Sequence, residues 1–257
     1  MANTVYENKV IEAKAKDLLT TSLNTRTLMT VDNSLAQTAG MTKTINLYTY
    51  DGAAEELEAG EANSNKGSIS YTSVDYKVKR VQQTFEYTDD DFLKDPTIVD
   101  NMLKGANQVM VNKMTSDFVG ECVKASLAQP LEGALSYDGV VDGISKLNLE
   151  DETKIFILIP LSWKADLRKD DDYKAARMGE VVYTGQVGTL SGIPVVATKA
   201  LTDAAYVMTN EAVKLFMKKD VEVEQDRDIE TKTNKVVLTT YYVCALEDAT
   251  KICKLAQ

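Results

Sequence analysis

The sequence predicts an α+β fold whose parts are laid out one after another along the chain, and three observations predict it. A polar-tipped pair of extended segments fills residues 41–88, an amphipathic helical stripe follows at about 95–128, and strands alternate with short helices beyond Lys154. A chain of 257 residues can bury a sizeable core as one large domain or two linked ones, and 44% hydrophobic with 26% charged residues is ordinary for a globular protein. No apolar run approaches the roughly 20 residues that span a bilayer. The start MANTVYENKV has no apolar segment after its first charges, so no signal peptide is expected. Cys122, Cys244 and Cys253 are widely spaced and odd in number, which suits a reducing compartment better than a disulfide framework. The absence of histidine excludes histidine triads, zinc sites and imidazole acid–base chemistry. A net charge of −10 repels phosphate on average and argues against sequence-specific DNA binding.

Residues 1–40 hold a weakly amphipathic segment (Val10, Ile11, Ala15, Leu18, Leu19) and then a mixed stretch, read as an arm. Thr44 to Tyr50 is a plausible strand. The acidic segment Glu55-Glu56-Leu57-Glu58-Ala59-Gly60-Glu61 and the polar turn Asn63 to Gly67 follow. Then comes the extended run SISYTSVDYKVKRVQQTFEYT, in which apolar positions alternate but slip in parity at Ile69/Tyr71, Val74/Tyr76/Val78 and Val81/Phe85/Tyr87, as bulges would make them do. Together these segments form a long hairpin with a polar tip and little core of its own. A two-stranded hairpin is marginal alone in water, so it needs a partner surface in its own chain or in another copy.

Thr88-Asp89-Asp90-Asp91 is a helix start, and Asp95-Pro96 a second one with Asp95 as N-cap and Pro96 at the first helical position. The stripe Ile98, Met102, Ala106, Val109, Met110, Met114, Phe118 and Cys122 then predicts a helix over about 95–128, roughly 30 residues and about 45–50 Å long, the alternative being an ordinary core helix interrupted at Gly105 or Gly120. Further on, Lys154 to Ile159 is a buried strand closed by Pro160, and Ser162 caps a short helix through Trp163, Ala165 and Leu167. A strand at Ala204–Met208, a helix from about Asn210 to Lys218, and returning strands at 235–245 and 252–255 complete the order.

Several stretches invite a chemical reading. In TGQVGTLSGIPVVATKAL, Gly185, Gly188 and Gly192 mimic a phosphate loop. Such loops lead into a helix, whereas these glycines lead into β-branched, proline-bearing sequence, so they are read as two tight turns between short strands. In Glu222-Val223-Glu224-Gln225-Asp226-Arg227-Asp228-Ile229-Glu230 every even position is acidic, so a strand lines five carboxylates along one face. A divalent ion or a metal-dependent enzyme is conceivable there. Metal sites gather ligands from several elements or a sharp glycine turn, so a solvated or partner-facing acidic strand is preferred. Lys77, Lys79 and Arg80 beside Tyr76 make a basic patch, too small for nucleic acid, which reads either as a contact between copies, being complementary to the acids at 55–61 and 222–230, or as a plain solvated face. No GxSxG or SxxK pattern supports nucleophilic catalysis. Cys122, Met102, Met110 and Met114 are read as core, and Trp163 as a buried anchor. No catalytic, cofactor or metal residue is assigned.

The order arm, long hairpin, long helix, α/β domain, returning strands resembles the major capsid protein of tailed double-stranded-DNA bacteriophages, a fold also used by encapsulin shells and the herpesvirus capsid floor. The stretches that carry the resemblance are EAGEANSNKGSISYTSVDYKVKRVQQTFEYTDDDF, ILIPLSWKADLRKDDD and GTLSGIPVV. The resemblance implies a non-enzymatic structural protein without cofactors. It also implies an N-terminal arm at 1–40, an extended loop at 41–88 laid across a neighbour, a peripheral domain at 89–152 with a spine helix at about 95–128, and an axial domain at 153–220. Residues 221–257 return strands to the peripheral domain and a last strand to the axial domain. Copies are expected to form pentamers and hexamers of an icosahedral virion shell, assembled in the bacterial host cytoplasm, that encloses double-stranded DNA without reading its sequence. No membrane is involved. Because the chain goes from Met1 directly into the arm, a separate scaffolding protein is expected, beside a portal and candidate decoration proteins. Lys66 is the candidate donor for the isopeptide bond of some relatives, with no partner identified. An encapsulin-like cellular compartment is the alternative.

Overall fold

The structure, a computed structural model, describes residues 11, 13–15, 28–171 and 188–256. Val10, Leu18 and Leu19 of the arm and Gly185 of the glycine run lie outside them, whereas Ile11 and Ala15 are buried in the main core.

Two sheets organise the body. The first has the order β1 (Thr30–Asp32), β10 (Val213–Asp228), β11 (Thr233–Leu246), β4 (Lys79–Thr88), with β1 parallel to β10 and the other neighbours antiparallel. Between β4 and the second sheet the chain makes α1 (Asp89–Lys94) and α2 (Ile98–Cys122). Leu103, Met110, Met114 and Phe118 of α2 share one core with Leu215, Val223, Val236, Leu238 and Tyr242 of the sheet. The sequence reading of 210–218 as a helix is wrong, because Val213, Leu215 and Met217 enter this core while Phe216 enters a smaller one with Leu35, Ile45, Val78, Val243 and Ala245. Burial on both faces of a strand erases the period-two signal and leaves a short apolar run that propensity cannot assign.

The second sheet has the order β5 (Leu127–Pro130), β12 (Ile252–Ala256), β9 (Ala204–Thr209), β6 (Ile155–Pro160), β8 (Ile193–Thr198), β7 (Thr189–Leu190). Every residue of β6 and β9 is buried, as expected of central strands covered on both sides. One face meets the α2 core through Phe156, Leu158, Tyr206 and Met208; the other packs under α3 (Tyr137–Leu147) and α4 (Lys164–Lys169). In α3 the Ser136 hydroxyl accepts the Gly139 N–H, Asn148 ends the helix at φ 46°, and Gly143 lets the helix sit directly on Leu255 and Val207. Residues 127–147, assigned from the sequence to the helix-bearing half, therefore build onto the six-stranded sheet, since β5 pairs with the far-off β12. Residues 213–220 likewise belong to the four-stranded sheet.

The α1 start is capped as read, with Thr88 and Asp91 forming a reciprocal capping box. The long helix is shorter than expected, 25 residues or about 37 Å. Asp95 accepts the Thr97 N–H and hydroxyl at 2.9 and 2.6 Å, but the helix itself begins at Ile98 and ends at Cys122, because Leu127 is drawn into β5. Its buried stripe runs Val99, Leu103, Ala106, Asn107, Met110, Val111, Met114, Phe118, Cys122, while Val109 is exposed and Met102 half-buried. The stripe read from the sequence coincides with the buried face from Ala106 through Cys122 and departs from it at Ile98, Met102 and Val109, which lie beside the buried Val99, Leu103 and Met110. Ser162 does not cap α4, whose first turn follows Trp163 without a side-chain cap.

Candidate assembly interface

Between β1 and β4 the chain leaves the body as a separate two-stranded sheet, β2 (Thr42–Asp51) against β3 (Ser68–Lys77), paired from Thr42↔Lys77 to Asp51↔Ser68. The long extended run of the sequence is thus two strands: it breaks at Val78, whose N–H donates to Met41 O at 2.8 Å and closes the hairpin's base. The base is anchored. Ile45 and Val78 are buried beside Phe216, Val243 and Ala245, the Tyr76 hydroxyl donates to Leu246 O at 3.4 Å, and the Lys124 ammonium lies 5.2 Å from the Tyr76 ring centre.

Outward from the base no layer of described residues packs against the hairpin. In β3 every residue except Tyr76 is exposed, and Tyr50, Ile69 and Tyr71 are 61%, 52% and 70% exposed. Tyr50 opposes Ile69, and Tyr71 lies two residues on, so these three share one face of the pleat. The polar cross-links Thr44 to Asp75 (2.6 Å) and Ser73 to Asn46 (2.8 Å) hold the ladder without supplying a core. Residues 52–67 are exposed throughout. At their neck a side chain on Gly52 would meet the Gly67 Cα at 2.9 Å, and the Tyr50 ring lies over both glycines, so only glycine permits this close approach. An apolar strip on a two-stranded ribbon with an acidic loop is a surface built to be covered.

The basic patch divides. Lys79 lies 3.4 Å from Asp117 of α2, which also takes Lys113 at 2.8 Å and the Tyr242 hydroxyl at 3.0 Å. Burial opposes the charge on Asp117, but the Lys113 and Tyr242 hydrogen bonds and the two ammonium groups hold its carboxyl below the usual range. Lys77 and Arg80 are exposed, with no carboxylate partner among the described residues. Asp117 is the anchoring residue that the sequence reading missed; its Lys113 spacing of four was the only local sign of it.

The acidic strand forms the outer part of β10. Val221 and Val223 are buried, Glu224, Asp226 and Asp228 exposed and Glu222 half-exposed, so the carboxylates line one face as the alternation requires. Glu222 pairs with Lys219, and Asp228 accepts the Glu230 N–H at 2.9 Å to close the turn into β11. Among the described residues no three His, Cys, Asp or Glu side chains gather as a metal site would need. The glycine run supplies a two-residue hairpin turn between β7 and β8, with Ser191 at φ 52° and Gly192 at φ 82°, followed by a strand and no helix. Cys122, Cys244 and Cys253 are buried free thiols, and burial pushes Cys244 up to about 12. Met110 and Met114 are core, Trp163 is half-buried against the second core, and Lys66 is exposed in the loop. Among the described residues no helix is long and apolar enough to cross a membrane.

No family model matches the chain. It is 25% identical over 236 residues, 88% of this chain and 84% of the relative, to the major capsid protein of Staphylococcus phage phiMR11. Its structure is similar to the capsid of Myoviridae phage XM1, with a TM-score of 0.65 at 10% identity over 91% of this chain and 90% of that one. It is equally similar to a virus-like particle from Pyrococcus furiosus, with a TM-score of 0.67 at 11% identity over 98% and 100%. Likeness over nearly the whole of each chain establishes that the fold is that of these shell subunits.

Proposed function

We infer that this chain, which carries the tailed-phage capsid fold, is the shell-building protein of a bacteriophage head, located in the virion capsid. The observation that carries the reading is the hairpin: a ribbon anchored at its base, with tyrosines and isoleucine bare on one face, finds no covering layer among the described residues of its own chain. Repetition of one such contact around a closed ring makes a shell. The sequence similarity to a phage major capsid protein agrees with this, and it favours a virus over an encapsulin-like compartment.

On this reading the four-stranded sheet with α2 is the peripheral domain, and the six-stranded sheet, including 127–147, is the axial domain. The role needs no catalytic group. The acidic surface suits DNA held by enclosure, with no base reading. A scaffolding protein, a portal and decoration proteins are the partners such a shell would use, and the host cytoplasm its place of assembly. Electron microscopy of the purified chain, expressed alone and with a candidate scaffolding protein, tests the reading. Closed particles are expected; a monodisperse monomer under both conditions overturns it.

A further inference from the structure

Two charge patterns on the hairpin cannot satisfy each other within one chain. The loop after Asp51 carries Glu55, Glu56, Glu58 and Glu61, and its one cation is Lys66. Glu55 turns inward to the Ser64 N–H and hydroxyl at 3.0 and 3.1 Å, and Glu61 accepts the Glu58 N–H at 3.4 Å. The carboxylates of Glu56 and Glu58 have no partner among the described residues. At the opposite end Lys77 and Arg80 are exposed and have no counter-charge among the described residues, although Lys79 between them reaches Asp117. The ten-residue ladder of β3 separates the two ends by about 30 Å, roughly three Debye lengths at 0.1 M salt. The loop and the base of one molecule therefore do not attract each other.

We propose that the acidic loop of one hairpin seats on Lys77 and Arg80 of a second copy, with Tyr50, Ile69 and Tyr71 laid against that copy's surface. The contact is head-to-tail: each molecule offers a loop to one neighbour and a base to another, the arrangement that closes a ring. Opposite potentials at the two ends set the direction and register of the overlap, while the apolar strip supplies the burial. The inference rests on the shell reading and deepens it by naming the contact.

The test is a charge swap. Lys77→Glu with Arg80→Glu, and separately Glu56→Lys with Glu58→Lys, are each expected to lower particle yield by roughly tenfold or more, because like charges then meet. The chain carrying all four substitutions is expected to regain particles. Circular dichroism of the unassembled subunits shows that each variant is folded. Without any substitution, wild-type assembly should slow as salt rises from about 50 mM to about 0.5 M. Variants that assemble like the wild type, a four-fold variant no better than its parents, or salt-independent assembly overturn the contact and leave the shell reading standing. Failure of the wild type to form particles overturns both.

Discussion

At Asp117 a single carboxylate ties α2 to β4 through Lys79 and to β11 through the buried Tyr242 hydroxyl, so one side chain fixes the helix over the sheet beside the hairpin's exit. The Lys113–Asp117 spacing is legible in sequence, but Lys79 and Tyr242 lie 38 and 125 residues away, and only the folded sheet brings them together. Tyr242→Phe removes one charge-assisted hydrogen bond and leaves the lysines in place, so it should cost about 1.5 kcal/mol in urea unfolding of the unassembled subunit at pH 7. The pH dependence has a definite sign. Because the folded carboxyl sits below its ordinary 3.8, its contribution is present above that value and lost as pH falls through the depressed folded value. The gap between wild type and Tyr242→Phe should narrow on acidification, and a gap that widens would refute the assignment.

At the scale of elements, the hairpin was the most legible feature, since alternation and a polar tip are local, while its break at Val78 was legible only as a slip of parity. The long helix was legible in existence and, from Ala106 to Cys122, in its phase, but not at its ends, and at the C-terminal one pairing with β12 outweighs helical continuation. The β10 strand was misread because Val213 to Met217 is buried on both faces. The hairpin's independence from the body has a direct consequence. Asn46 and Ser73 are paired across the ladder just beyond the buried base, so an Asn-Gly turn can replace residues 47–72 and keep Ile45, Val74 and Tyr76. The shortened chain should fold, with its melting transition within a few degrees of the unassembled wild type, and should form no particles. Particles from this variant would show that the outer hairpin is dispensable for assembly, and an unfolded product would show that it belongs to the core.

For the whole molecule, the question is how two sheets behave as one body. The chain passes from the six-stranded to the four-stranded sheet between β9 and β10 and returns between β11 and β12, and these two crossings lie side by side. The Glu247 and Asp248 N–H groups both donate to Ala212 O, and Glu211 takes Lys154 at 2.8 Å and Lys251 at 2.7 Å. Neither crossing is visible in the sequence, because the partners come from three distant stretches whose charges look like ordinary surface. The hydrogen bonds from Lys154 and Lys251 pull the Glu211 carboxyl from 4.5 down to about 2. A depressed carboxyl stabilises the folded state above its unfolded value and loses that contribution as pH falls from about 4.5 toward 2. The group is exposed, so solvent and salt screen the effect and keep it small. Glu211→Gln should therefore lower the melting temperature slightly at pH 7 and low salt. The difference should fade both with added salt and as pH falls from 4.5 toward about 2, where the unfolded chain takes up the proton that the folded carboxylate still refuses. Equal melting of the two proteins at pH 7 and low salt would mean that backbone pairing and the shared core alone hold the sheets together, with no contribution from the charges at the crossings.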